Sequence, residues 1–411
     1  MLPRLARHSI WLFVARLGTQ LGMALFTILV ARQLGSAGFG EYTFIAALII
    51  ISNMLTTFGT DMYLIREIAA RDDLSQLPAA LFLQMLLSVL FVAGVFLASP
   101  YLPLHSSNGL TALQIYSLSL LPLAFYTVFT TTLRGKQQIG AYTVLNLALM
   151  IFQVTAALIV FFAGGNLVTL SWLLLLSQLC AALFAGILCA TKIPGFWNKS
   201  GFSMRESFLL MKVSAPIALL SALGSLYQRL SLILLPFLGG TAETGVFSVS
   251  ARMVEAVKVA HIAVFTAIYP MMAQRSKQEA NWLHSFRLPW AILLMLAALA
   301  SFFLSTLANM LVKILFGSEF AATISVLQIL AWSLVPYTIN TYLSLAFLAG
   351  GRESLIIRAL AVSLLGLAVM TIWWEQVLGP PGAAWAMLIA EIMQSAILLS
   401  QIVRGRVPSN F

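Results

Sequence analysis

Residues 167–190 read LVTLSWLLLLSQLCAALFAGILCA, 24 positions without a single charged side chain. A run of about 20 apolar residues is the length a helix needs to cross the hydrocarbon core of a bilayer. The rest of the chain repeats the pattern. Apolar stretches of spanning length lie near residues 9–31, 40–62, 78–99, 110–132, 141–163 and 167–190, and again near 209–237, 243–268, 288–315, 321–349, 355–376 and 382–403. The fold class expected is an all-α integral membrane protein with about twelve transmembrane helices in two six-helix bundles. The chain divides accordingly into residues 1–195, a polar cytoplasmic linker at 196–207 within TKIPGFWNKSGFSMRES, and residues 208–411.

Composition agrees. Apolar residues make up 61% of the 411 positions and charged ones 9%, whereas soluble domains run near half apolar and about a quarter charged. The net charge of +10 is spread along the chain rather than gathered on one module, which argues against a nucleic-acid partner. Topology accounts for it instead. With both termini cytoplasmic, Arg66, Arg71, Arg134, Lys136, Lys192, Lys199, Arg205, Arg275, Lys277, Arg287, Arg352, Arg358, Arg404 and Arg406 share one side with Arg4 and Arg7. The other side keeps little beyond Arg32 and Lys313. That is the positive-inside bias. The loops expected outside, SPYLPLHSSNG, AGGNL and GGTAET, are short and nearly uncharged, leaving no outer domain for chemistry. The first fifteen residues, MLPRLARHSIWLFVA, look like a signal peptide, but the apolar run continues to Val30 without a small-residue cleavage site. They are read as the first spanning helix, retained.

A basic turn, LRGKQQIG, follows the fourth span and GGRESLI follows the tenth. Equivalent turns on one membrane side imply parallel repeats of six helices with a cleft between them. Cys180 and Cys189 lie in one span, about 13 Å apart along the axis, too far for a disulfide. His8, His105, His261 and His284 are scattered, and neither a phosphate-binding Gly loop nor a helix-borne HExxH occurs. No metal or other cofactor is expected. Trp373, Trp374 and Trp385 flank the turn GPPG as interface anchors. Pro216, Pro236 and Pro270 are candidate kinks in the seventh and eighth spans.

A charge inside a span costs on the order of 3 kcal/mol, so it must face protein or a wet cavity. The residues under that constraint are Arg16, Arg229, Arg252, Glu255, Lys258, Glu391 and, near a helix end, Asp61. Arg252, Glu255 and Lys258 recur every third residue, one slowly drifting stripe. Arg16, Arg229, Arg252 and Lys258 are the expected walls of a cationic cleft for an anionic substrate, since a phosphate in a low dielectric needs compensating charge. The competing reading of the stripe is an internal pair, Arg252 with Glu255, that holds helices in register. Glu255, Asp61 and Glu391 are expected as ion-pair or coupling groups, and for Glu391 a helix-contact hydrogen bond competes with proton coupling.

The stretch ARQLGSAGFGEYTFIAALIIISNMLTTFGTDMYLIREIA, residues 31–69, resembles the opening of the polysaccharide flippases of the multidrug/oligosaccharidyl-lipid/polysaccharide exporter superfamily. The residues that carry the likeness are Leu34 and Gly35, Gly40 and Tyr42, Gly59, and the pair Arg66 and Glu67. It continues through LRGKQQIGAY, APIALLSAL, TGVFSVSARMVEA, TAIYPMMA, LFGSEF and GPPGAAWAMLIAE, over essentially the whole chain. Helix seven departs from the pattern, because LYQRLSL has Gln228 where many relatives have an acid beside the Arg.

The resemblance implies a flippase, not an enzyme, in a bacterial inner membrane. Its substrate would be a polyprenyl-diphosphate-linked oligosaccharide, such as an O-antigen, capsule or exopolysaccharide repeat unit, moved from the cytoplasmic to the outer leaflet by alternating access. Membrane lipid and the polysaccharide polymerase machinery are the other expected partners. The alternatives are a multidrug exporter of the same superfamily, which usually carries early buried acids where the first helix here offers Arg16, and a membrane polymerase or ligase, which needs a larger outer loop.

Overall fold

The computed structural model describes residues 2–104, 106–194, 196, 204–276 and 285–403. His105 and His284, most of the linker, Lys199, Lys277, Arg404 and Arg406 lie outside these, as do the side chains of residues 1–17, among them Arg4, Arg7, His8 and Arg16. Among the described residues the fold is helical and contains no strand.

The helices are α1 (Leu2–Thr57), α2 (Thr60–Arg71), α3 (Leu77–Ala98), α4 (Ser107–Ser117), α5 (Leu120–Gly135), α6 (Ile139–Ala163), α7 (Leu167–Lys192) and α8 (Met204–Leu238). After them come α9 (Thr241–Arg275), α10 (Arg287–Thr306), α11 (Ala308–Leu315), α12 (Thr323–Leu330), α13 (Leu334–Ala349), α14 (Glu353–Leu378) and α15 (Pro380–Val403). Nine helical runs among the described residues are long and apolar enough to cross a membrane. One, 18–57, contains two crossings, because Gly35 at φ 67° breaks α1. The two remaining crossings are α9, whose apolar run is interrupted by Arg252, Glu255 and Lys258, and α12 with α13. Twelve crossings result, as the apolar pattern predicts.

Proline marks two internal breaks. Pro122 has no N–H for the carbonyl of Leu118, and the helix tightens at 118–119 into bonds that reach back three residues. Pro336 stands in the same relation to Trp332, where the single turn 331–333 separates α12 from α13. The prolines singled out in the sequence behave differently: α8 runs through Pro216 and Pro236, and α9 through Pro270, without interruption.

Helix α7 displays the logic of a lipid-facing surface. Its buried face carries Ser171, Ser177, Gln178, Ala181, Ala182 and Ala185, while Trp172, Leu176, Leu179, Leu183 and Ile187 point outward. Small and polar residues let helices approach, and lipid solvates the large apolar ones. Cys189 is buried and donates to the carbonyl of Phe129 at 3.4 Å, and both cysteines are free.

By compactness the chain forms two units, Met1–Leu34 with Phe44–Ser225, and Gly35–Thr43 with Leu226–Phe411. The first is centred on Leu64, Ile68, Leu133, Leu145, Ala181 and Ala185. The second is centred on Met272, Leu293, Leu343, Phe347, Ala359 and Leu398.

The short segment 35–43 is anchored inside the second unit. Glu319 Oε1 accepts from the amide of Ser36 at 2.7 Å, capping the helix that restarts after Gly35 with a carboxylate at its positive end. Phe39 meets Phe320 edge to face at 6.4 Å. Gly40 lies against the backbone carbonyl of Thr241, and Gly245 against that of Ser36, so close that a Cβ on either would overlap main-chain atoms. Backbone cannot rotate aside as a side chain can. Gly245→Leu is therefore expected to lower stability by about 1–3 kcal/mol or more, whereas Gly94→Leu, at a site with open space around it, leaves thermal unfolding of the detergent-solubilised protein unchanged or raised.

Candidate functional site

Five charges from three separate spans meet inside the second unit. Helix α9 supplies Arg252, Glu255 and Lys258, three residues apart, so each step turns the stripe by a fraction of a helix face. Glu255 takes two cations. Its Oε2 lies 3.2 Å from Arg252 on the same helix, and its Oε1 lies 3.2 Å from Arg229 of α8. The pair expected from the sequence as the competing reading is thus formed, and Arg229 joins it.

The next turn of α9 presents Lys258 to Glu391 of α15, with 3.6 Å between Nζ and Oε1. Glu391 is 2% exposed, and the rest of its carboxylate is satisfied by α13: Asn340 Nδ2 donates to Oε2 at 2.7 Å and to the Glu391 backbone carbonyl at 2.9 Å. Ser395, one turn further along α15, donates to Asn340 Oδ1 at 2.8 Å and so fixes the orientation of the amide. Tyr337, one turn before Asn340 on α13, places its ring 4.3 Å from Lys258 Nζ, a cation over a π face. Tyr42, buried in segment 35–43, lies within electrostatic reach of both Arg252 and Arg229.

Charge arithmetic defines what this arrangement can do. Three cations against two carboxylates leave one unit of positive charge in a low-dielectric surrounding. The two halves of the network also differ in character. Glu391 is held by Lys258 and Asn340 and is almost fully buried. Glu255 is partly exposed at 31% of its side chain and, among the described residues, is held by the two guanidinium groups. An anion with several oxygens can displace such a carboxylate and take both forks, since guanidinium groups match phosphate oxygens in pairs.

Of the residues expected from the sequence, Arg229, Arg252, Glu255, Lys258 and Glu391 are brought together. Asp61 belongs to the first unit, in the first turn of α2, and the side chain of Arg16 lies outside those described. The acid absent at Gln228 has a substitute, because Glu255 reaches Arg229 from the neighbouring helix. Sequence reasoning missed Tyr42, Tyr337, Asn340 and Ser395. An Asn deep within an apolar span is a legible polar signal in retrospect, whereas Tyr and Ser in membrane helices are too ordinary to stand out.

Known proteins frame this geometry. The sequence profile of the family described as polysaccharide biosynthesis protein matches residues 5–276. No curated protein matches the chain in sequence. Among solved structures, a multidrug resistance MATE family transporter of the MOP superfamily in an inward-facing conformation is similar at TM-score 0.75 and 16% identity, covering 96% of this chain and 97% of that one. The lipid II flippase MurJ in an inward closed conformation is similar at TM-score 0.71 and 14% identity, over 96% and 87%. A MOP superfamily transporter from Pyrococcus furiosus, described as having a binding pocket of reversed polarity, is similar at TM-score 0.68 and 16% identity, over 95% and 93%. At such identities these likenesses establish the fold.

The locked half of the network generates a stability prediction. Glu391→Ala leaves Lys258 buried without its partner and is expected to cost about 3–5 kcal/mol, while Lys258→Met combined with Glu391→Leu recovers most of that loss. Thermal unfolding of the purified single and double variants checks it.

Proposed function

The chain belongs to the polysaccharide biosynthesis protein family, and on that premise we propose that it is a flippase for a polyprenyl-diphosphate-linked oligosaccharide. It carries a repeat unit of an O-antigen, capsule or exopolysaccharide from the cytoplasmic to the outer leaflet of a bacterial inner membrane by alternating access. Six crossings in residues 1–195 and six in 208–411 make up the working halves, with both termini cytoplasmic. Polysaccharide polymerase machinery on the far side consumes what it delivers.

The observation that carries this reading is Glu255 held between Arg229 and Arg252. In the resting protein the carboxylate offsets one of the two guanidinium charges and hydrogen-bonds both groups. An arriving diphosphate replaces it, and the released Glu255 returns when the headgroup leaves. The site therefore never leaves both guanidinium groups without a carboxylate or a headgroup, a state that would be expensive to maintain in a membrane. Lys258, kept in place by Glu391 and Tyr337, stands one turn further along α9, and the surplus charge that a diphosphate needs resides on the two arginines that share Glu255. MurJ, which shares the fold, is described as a flippase of lipid II. The multidrug alternative fits poorly, because an organic cation would meet a net positive site.

The test is genetic. Deletion of the gene in its host is expected to strand the lipid-linked glycan on the cytoplasmic face, and wild type restores surface glycan. Arg252→Ala and Arg229→Ala, present in the membrane at wild-type amounts, restore roughly a tenth or less, the loss of about one charge-assisted contact. Unaltered surface glycan together with new sensitivity to cationic dyes refutes the flippase and favours the multidrug exporter.

A further inference from the structure

The stretch that leads from α1 into α2, inside the first unit, is broken at Phe58 and Gly59, whose backbones are left-handed at φ 49° and 67°. Two such residues in succession end a helix, and for an aromatic side chain the conformation is strained. Strain of this kind persists where the surrounding structure imposes the bend.

A layer of polar side chains surrounds the break. The hydroxyls of Thr56, Thr57 and Thr60 donate back to the carbonyls of Asn53, Met54 and Thr57 at 3.0, 3.0 and 2.7 Å, serving the last turns of α1. From α3, Gln84 donates its amide to Thr60 Oγ1 at 2.9 Å. Its own carbonyl oxygen has no partner among the described residues, and neither has the hydroxyl of Ser88, one turn further along the same face. Helix α8 runs beside α3, since Ser207 donates to the carbonyl of Ala79 at 3.1 Å. Two turns on, α8 reaches the break: a Cβ on Gly59 would stand 3.1 Å from the carbonyl of Ser214 and 2.7 Å from the amide nitrogen of Ala218. The hydroxyl of Ser214 is also without a partner among the described residues. Gln84 is 1% exposed, and Ser88 and Ser214 are wholly buried.

A serine within a helix commonly returns its hydroxyl to a carbonyl of the preceding turn, as Ser171 and Ser301 do in this chain. Ser88 and Ser214 do not. Three unmet polar groups in a membrane interior are costly, and lipid cannot serve them. The set is neutral, one amide carbonyl and two hydroxyls, so it suits a neutral partner that both donates and accepts. Water is that partner, held in protein interiors by about three hydrogen bonds to groups otherwise unsatisfied.

The same level is weak in both helices that meet there. Pro216, between Ser214 and Ala218, offers no N–H to the carbonyl of Lys212, so α8 lacks that bond where α1 is interrupted. Helix α2 is a rod of 12 residues, about 18 Å long. Another left-handed residue, Asp72 at φ 56°, closes its far end. There Lys136 pairs with the Asp72 carboxylate and donates to its backbone carbonyl at 3.3 Å, tying the rod to the turn between α5 and α6.

We propose that the α1–α2 break is a hydrated hinge: water held by Gln84, Ser88 and Ser214 completes the polar layer, and α2 swings as a rod about Phe58 and Gly59. A few element-terminal residues that absorb the change in backbone angles are what a hinge requires. Water lowers the barrier to the motion, because it exchanges hydrogen bonds freely where a close-packed apolar contact would resist. The hinge shares no residue with the Arg229–Glu255–Arg252 network, and its test needs no substrate, so it stands or falls apart from the function proposed above.

For the test, the full-length protein in lipid nanodiscs is exposed to X-ray-generated hydroxyl radicals, which arise from water and oxidise the side chains beside it. Phe58 is compared with Phe152, exposed on α6 in the middle of an apolar span. Phe58 is expected to be oxidised faster than Phe152, and to fall to the Phe152 level in Gln84→Leu/Ser88→Ala/Ser214→Ala. Ser88→Ala/Ser214→Ala, which keeps the bond from Gln84 to Thr60, replaces the triple variant should that not yield a monodisperse protein. Motion is read by pulsed dipolar spectroscopy between spin labels at Ile50→Cys and Arg66→Cys, exposed positions on either side of the break, with Cys180→Ser and Cys189→Ser removing the native thiols. Two distances are expected, merging into one when the polar layer is removed. Oxidation of Phe58 no faster than that of Phe152, or unchanged in the variants, overturns the hydration; a single distance, or two that survive removal of the layer, overturns the hinge.

Discussion

A bilayer core offers no partner to a charge, so every ionised group within it must bring its own. This chain satisfies that constraint by crossing helices: the carboxylate for Arg229 comes from α9, and the carboxylate for Lys258 comes from α15. The surrounding structure follows from the need to hold those pairs. Helices must approach closely, which is why Gly40 and Gly245 stand at backbone contact between segment 35–43 and α9. Polar second neighbours must be rigid, which is why Asn340 is fixed by Ser395 as well as by Glu391. Removing any member exposes the others to a medium that cannot solvate them.

The two halves of the network use one physical rule for different ends. At Glu391 each carboxylate oxygen has a partner and the group is nearly inaccessible, an arrangement that fixes α9, α13 and α15 together and positions Lys258. At Glu255 the carboxylate is more exposed and has only exchangeable partners, an arrangement suited to replacement by another anion. The surplus positive charge sets the sign of that anion.

Much of the fold was legible because lipid imposes a simple grammar. Spans of 20 or more apolar residues have no soluble alternative, and their number and spacing gave twelve crossings. The breaks within crossings were less legible, since Pro122 and Pro336 interrupt their helices while Pro216, Pro236 and Pro270 do not. A proline's effect depends on whether neighbours satisfy the carbonyl it leaves free, and that is tertiary information. The charged residues of the network stood out individually for the same reason the spans did. Their partners did not: Lys258 and Glu391 are 133 positions apart, and Arg229 was read beside a missing acid at 228 although its actual acid lies on the next helix.

The central claim is that the guanidinium pair around Glu255 recognises a diphosphate. It is tested most directly by native mass spectrometry of the purified protein offered a polyprenyl diphosphate and the corresponding neutral polyprenol. The account predicts retention of the diphosphate in wild type, and its loss to the level of the polyprenol in the Arg229→Ala/Arg252→Ala double variant. Equal retention of both lipids by wild type, or undiminished diphosphate binding by the double variant, would contradict it.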